Sequence, residues 1–203
     1  MGMTKEEILV HVDHTLLKAV SAWDEIQTLC EEAIENHTAS VCIPPSYVKR
    51  VSKAYGDKLN VCTVIGFPLG YNTMVVNLGD VKNGEFPKIT REIEAVKKAA
   101  GNHVVKVIIE TCYLTEDEKR ELCKCVTDGG ADYIKTSTGF GTAGARIEDV
   151  RLFKRYIGEG VKIKAAGGVK TREDLEQFLE EGCERIGTSS ALKLLGGREA
   201  GTY

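Results

Sequence analysis

No apolar stretch in this chain approaches the roughly 18 residues that cross a bilayer as a helix, so no membrane partner is expected. The opening, MGMTKEEILV, lacks a basic region followed by a long apolar run, and no secretory signal is predicted. The seven cysteines (Cys30, Cys42, Cys62, Cys112, Cys123, Cys125 and Cys183) include no C-x-x-C pair. Neither a disulfide framework nor a zinc site is suggested, no metal is expected, and the predicted compartment is a reducing cytoplasm. A basic excess is missing too. The formal net charge is -3, which argues against a nucleic-acid partner and for a small substrate. Linkers, low-complexity tracts and internal repeats are likewise absent, so residues 1–203 are expected to form a single domain.

What is present is an alternation of strand-like and helix-like segments, the pattern of an α/β fold with a parallel sheet. Eight strand candidates fall at 11–16, 39–43, 61–67, 74–79, 103–110, 132–137, 161–167 and 184–189. Eight parallel strands favour a closed (β/α)8 TIM barrel. Helix starts are marked by Thr4 with Glu7, Thr115 with Glu118 and Thr171 with Asp174, spaced for reciprocal capping. Ile26, Leu29, Cys30, Ala33 and Ile34 share one helical stripe, as do Leu175, Phe178 and Leu179; both stripes should pack against the barrel wall.

One interval breaks the pattern. Between the strand ending near Phe67 and the one beginning near Met74 there is only PLGYNT, whereas a parallel crossover needs about a dozen residues or more. Either these two strands are antiparallel or a helix-sized segment is absent from the sequence.

Chemistry is suggested by lysines set inside apolar strands: Lys106 in VVKVIIE, Lys135 in DYIKTS and Lys164 in VKIKAAG. A lone strand lysine often snorkels to a rim or pairs with a carboxylate. Lys135 and Lys164, however, fall on successive strands near their C-terminal ends, where barrel active sites are built. Two neighbouring ammonium groups in a low-dielectric wall disfavour each other's charge, and one is expected to become a neutral amine. Such an amine attacks aldehydes and ketones, which points to carbonyl chemistry through an imine.

AAGGVK follows the seventh candidate strand and GTSSALKLL the eighth. In barrels a phosphate often sits in those two loops. Gly167 and Gly168 permit close approach of backbone to ligand, and Ser189 and Ser190 offer hydroxyls. STGFGTAGA, after Lys135, is placed to close over the same ligand.

HVDHTLLK, VIGFPLGYNT, KVIIETCYLT, YIKTSTGF, KAAGGVKT and RIGTSSA, in this order and spacing, resemble the deoxyribose-phosphate aldolase family over nearly the whole chain. That resemblance implies a class I aldolase on a (β/α)8 barrel. Its reaction is the reversible cleavage of 2-deoxy-D-ribose 5-phosphate to acetaldehyde and D-glyceraldehyde 3-phosphate, without metal or organic cofactor. It implies Lys135 as the Schiff-base lysine and Lys164 as the second lysine that perturbs it. Asp13, Thr15 and Lys106 would join their polar network, and Thr138 and Cys42 would line the substrate cavity. Phosphate contacts fall on Gly139, Gly167, Gly168, Lys170, Gly187, Ser189 and Ser190. Phe140 stands where some members carry lysine. The family often forms homodimers.

Against the family pattern, this chain passes from Thr73 directly to Met74, so helix 3 and the start of strand 4 are missing there, with the aspartate that serves as third catalytic residue. Two explanations stand: a segment omitted from the sequence, or a true deletion, which would leave a sugar-phosphate-binding barrel impaired in turnover.

Overall fold

The structure is a computed structural model that describes residues 2–70 and 75–196. In chain order the elements are α1 (Lys5–Leu9), β1 (Val12–Thr15), α2 (Trp23–Glu35), β2 (Ser40–Ile43), α3 (Val48–Tyr55), β3 (Val61–Thr63), α4 (Leu78–Lys82), α5 (Phe86–Ala100), β4 (Lys106–Ile108), α6 (Glu116–Asp128), β5 (Tyr133–Lys135), α7 (Ile147–Tyr156), β6 (Lys162–Ala166), α8 (Arg172–Glu180), β7 (Arg185–Thr188) and α9 (Ala191–Leu195). The expected capping pairs start α1, α6 and α8: each threonine hydroxyl accepts the N–H three residues on, and the acidic partner accepts the threonine's own N–H. The chain divides into two compact units, Met1–Val64 with Val169–Leu179 and Arg185–Tyr203, and Ile65–Gly168 with Glu180–Glu184.

In the first unit β2 pairs in parallel with β1 and β3, and β1 pairs in parallel with β7. The stripe of α2 buries Ile26, Leu29, Cys30 and Ala33 against Val41, Ile43 and Val51, the inward set that its 3.6-residue period predicts. Ile34, at the stripe's margin, is only half-buried.

In the second unit β5 lies between β4 and β6, again in parallel. Helix α6 packs between α5 and α7, burying Leu122, Cys123, Cys125 and Val126. Asp132, at the foot of β5, ties the unit together, because its Oδ2 accepts the Lys97 ammonium of α5 and the Val105 N–H before β4, both at 2.7 Å.

Seven strands, not eight, are found among the described residues. The candidate strand at 74–79 is replaced by an isolated parallel bridge from Val75 to Ile108 and then by α4. Asn77 is the physical reason. Its side-chain oxygen accepts the N–H groups of Gly79 and Asp80, a helix N-cap that turns the chain where a strand would have to continue. The junction of Thr73 and Met74 lies outside the described residues.

Candidate active site

Lys135 ends β5 and stands in parallel register with Lys164 of β6. Register partners leave neighbouring strands on the same face, and the strands are about 5 Å apart. The two lysines are 6% and 2% exposed, so both belong to the protein interior. The ring of Phe67 lies 5.8 Å from the Lys135 Nζ, and Phe140 meets that ring edge-on at 5.5 Å. Lys106, on β4, is half-buried with its Nζ 5.5 Å from the centre of the Tyr133 ring. Two buried lysine side chains thus stand in register on adjacent strands, with an aromatic ring beside Lys135.

Thiols are poor competitors for that role. Burial pushes Cys123 and Cys183 up to about 12 and Cys30 up to about 11, leaving little thiolate at neutral pH.

The loops that follow β5 and β6 are stacked backbone against backbone. Gly139, Gly167 and Gly168 have φ of 94°, 73° and 74°, conformations that side chains rarely adopt. A Cβ on Gly144 would fall 2.3 Å from the carbonyl carbon and oxygen of Gly167, and one on Gly167 would fall 3.1 Å from the Gly139 Cα. Thr138 is buried, and its hydroxyl donates to Glu110 Oε2 and accepts the Phe140 N–H at 3.0 Å. A hydroxyl expected to face substrate is therefore already committed to the turn.

The remaining expected residues lie in the first unit. Asp13 is wholly buried; its Oδ1 accepts the Ser40 hydroxyl at 2.7 Å and lies 3.9 Å from Arg185 Nε. Thr15 donates its hydroxyl to the Asp13 carbonyl at 2.7 Å. Cys42 is buried in β2, in register with Cys62. Lys170 is exposed, with its N–H on Asp174. Gly187 pairs with Asp13 in the β1–β7 ladder. Ser189 and Ser190 stand half-exposed with their hydroxyls 3.5 Å apart, the Ser190 N–H on Thr188 Oγ1. Ser190 does not cap α9 with its side chain. Lys106, Lys135, Thr138, Gly139, Lys164, Gly167 and Gly168 thus share one unit, and the other seven expected residues share the other.

In the second unit Glu110 was not picked out by the sequence, and Ser137 and Gly144 entered only as members of the STGFGTAGA stretch. Ser137 is fully buried, and its hydroxyl has no hydrogen-bond partner among the described residues. Such a group keeps a donor for an ordered water or a ligand. Glu110 is 4% exposed and holds a left-handed backbone at φ 51°. The signal for it was a carboxylate closing an otherwise apolar strand, VVKVIIE, the same anomaly that singled out the lysines.

Parallel strands with intervening helices, and a buried lysine pair in register at the end of β5 and the middle of β6, place this chain among the α/β folds. The model of the DeoC/LacD family aldolases matches residues 73–199. A deoxyribose-phosphate aldolase of Clostridium botulinum (strain Alaska E43 / Type E3) is 56% identical over an alignment of 221 residues, covering 99% of this chain and all of the relative. Among solved structures, a candidate deoxyribose-phosphate aldolase of Coccidioides immitis superposes with a TM-score of 0.91 at 33% identity, over 97% of this chain and 87% of that one. The tetrameric deoxyribose phosphate aldolase of Aeropyrum pernix gives 0.87 at 27%, over 96% and 92%. The chain belongs to the DeoC/LacD family of aldolases and is a class I aldolase.

Proposed function

We propose that this aldolase reversibly cleaves 2-deoxy-D-ribose 5-phosphate to acetaldehyde and D-glyceraldehyde 3-phosphate, with Lys135 as the Schiff-base lysine. The observation that carries the reading is the pairing of Lys135 with Lys164, both buried, on adjacent strands. The neutral Lys135 amine adds to the C1 aldehyde of the open-chain sugar and loses water to give an iminium. The C2–C3 bond then breaks: its electron pair flows to the iminium nitrogen, the C3 hydroxyl gives up its proton, and glyceraldehyde 3-phosphate leaves. The remaining enamine takes a proton at C2, and water releases acetaldehyde. Lys164 disfavours charge on Lys135 before attack and assists the proton transfers.

For the phosphate, the proposed contacts are Gly139, Gly167 and Gly168, and also Lys170, Gly187, Ser189 and Ser190. Cys42 and Thr138 line the substrate, while Asp13, Thr15 and Lys106 complete the polar surroundings of the lysines. The proposed architecture is one (β/α)8 barrel domain over residues 1–203, working in the cytoplasm as a homodimer. In this reading a helix-sized segment that would precede the fourth strand is omitted after Thr73. The 221-residue alignment against a 203-residue chain supports that omission.

Borohydride reduction in the presence of acetaldehyde tests the assignment. The parent protein is expected to gain a stable ethyl adduct on Lys135, and Lys135→Leu to gain none; a normal yield from Lys135→Leu would refute it. Retro-aldol turnover of deoxyribose 5-phosphate well above that of ribose 5-phosphate is the expected substrate result, and the reverse preference overturns the substrate assignment.

A further inference from the structure

We infer that Glu110 is a positioning residue that sets the loop after Lys135, and through it the enzyme's preference for a phosphorylated substrate. This rests on the function proposed above.

Glu110 is an expensive residue to hold. It is 4% exposed, and its carboxylate oxygens meet Thr138 and Cys112. Its backbone has φ 51° and ψ 65°, a left-handed conformation that a residue with a Cβ adopts at a cost. Uncompensated burial of a carboxylate is strongly unfavourable unless hydrogen bonds replace its water. The replacements come mainly from one residue. The Thr138 N–H donates to both carboxylate oxygens at 3.2 Å, and the Thr138 hydroxyl makes a short bond to Oε2. A weaker contact comes from the Cys112 thiol, 3.9 Å from Oε1.

These bonds reach the reactive amine in three steps. Because the Thr138 hydroxyl donates its hydrogen bond to Glu110, its oxygen is turned to accept the Phe140 N–H at 3.0 Å. That bond fixes the turn through Gly139, whose φ is 94°. The Phe140 ring then sits edge-on to Phe67 at 5.5 Å, and the Phe67 face lies 5.8 Å from the Lys135 Nζ. The same turn brings Gly139 against Gly167, the backbone cradle proposed for the phosphate. Gly141 leaves the carboxylate its room: a Cβ there would approach Glu110 Oε1 to 3.1 Å and the Cys112 sulfur to 2.7 Å. Glu110 touches neither substrate nor reacting atoms in this scheme; it acts through Thr138.

The position of the loop matters more to the phosphate than to the aldehyde carbon, which needs only Lys135. Glu110→Ala should therefore lower kcat/KM for deoxyribose 5-phosphate at least about tenfold, mainly through KM, as expected for losing charge-assisted bonds that shape a binding loop. Turnover of unphosphorylated deoxyribose, and the borohydride-trapped yield with acetaldehyde, should change by less than about threefold, since uniform binding and not the chemical step is removed. The ratio of the two kcat/KM values reports phosphate preference, which a general loss of folded protein does not move. Glu110→Gln keeps the shape and one acceptor and should restore most of the ratio. Thr138→Val should reproduce the Glu110→Ala ratio, and the double variant should fall no further than the worse single one. An unchanged ratio in Glu110→Ala, or additive losses in the double variant, would overturn the inference. If Glu110→Ala does not fold, Glu110→Gln and Thr138→Val decide it alone: an unchanged ratio in Thr138→Val rejects the proposal. Failure of the parent protein to trap acetaldehyde would instead reject the proposed function.

Discussion

Asp132 joins three pieces of backbone and side chain through one carboxylate, and its titration exposes that role. Burial pulls its carboxyl up, but the Lys97 ammonium and the Val105 N–H outweigh that and hold it below the usual carboxylate range. A folded-state value below the unfolded one means that the group adds stability above its unfolded pKa and loses it as pH falls through the folded value. Asp132→Asn should cost about 1 kcal/mol at pH 7, the low end of the range because a third of the side chain is exposed. The difference from the parent should shrink as pH drops below about 4, the ordinary carboxylate range. Urea melts of both proteins at pH 7 and pH 3 measure this; a constant gap would contradict it. Lys135 and Lys164 were legible in sequence because a charge inside an apolar strand is an anomaly that alternation exposes. Ser137 and Thr138 were harder to interpret, since hydroxyls are ordinary in strand ends and only coordinates show which have partners. Glu110 was offered by VVKVIIE as a carboxylate closing an apolar strand, but its left-handed backbone shows only in the structure.

At the level of elements, helix starts were the most readable feature, because a cap is a local interaction over three residues. Thr115 accepts the Glu118 N–H at 3.3 Å, and Glu118 returns the bond to the Thr115 N–H at 2.7 Å. Glu118 also receives Lys82 of α4 at 2.8 Å, so the cap of α6 doubles as a tie to another helix. Thr115→Ala should lower stability by about 1 kcal/mol, and Tm by about 2–4 °C for a chain of this size. A melting curve superimposable on the parent's would show the cap to be idle. The candidate strand at 74–79 was misjudged for a related reason. MVVNLG has strand-like apolar residues, yet Asn77 satisfies the first N–H groups of a helix, and the β-pairing shrinks to one bridge at Val75. Strand ends were also overextended: β4 covers Lys106–Ile108 within a candidate at 103–110, because Glu110 leaves the extended region.

For the molecule as a whole, the α/β class with its parallel strands and the family were readable from element alternation and motif order, while the count of eight strands was not: seven are found among the described residues. A parallel crossover of six residues is too short, and the relative from Clostridium botulinum aligns over 221 residues against the 203 here. A family helix in that place would bury four or five apolar side chains at about 1.5–3 kcal/mol each, comparable with the whole stability of a domain, about 5–15 kcal/mol. By the family resemblance it would also carry the relay aspartate. Inserting a family-length segment of about twenty residues between Thr73 and Met74 is therefore expected to raise the stability by several kcal/mol on that same scale. Retro-aldol turnover should rise as well, by the roughly 10²–10⁴-fold that a positioned proton donor contributes. The comparison requires both chains in the same buffer, by urea midpoint and initial rate. A second insertion with alanine at the relay aspartate separates the effects: it should keep the stability and lose most of the rate. Equal midpoints with and without the segment would mean that the 203-residue chain closes its core by itself, and that its fourth strand is complete at Val75.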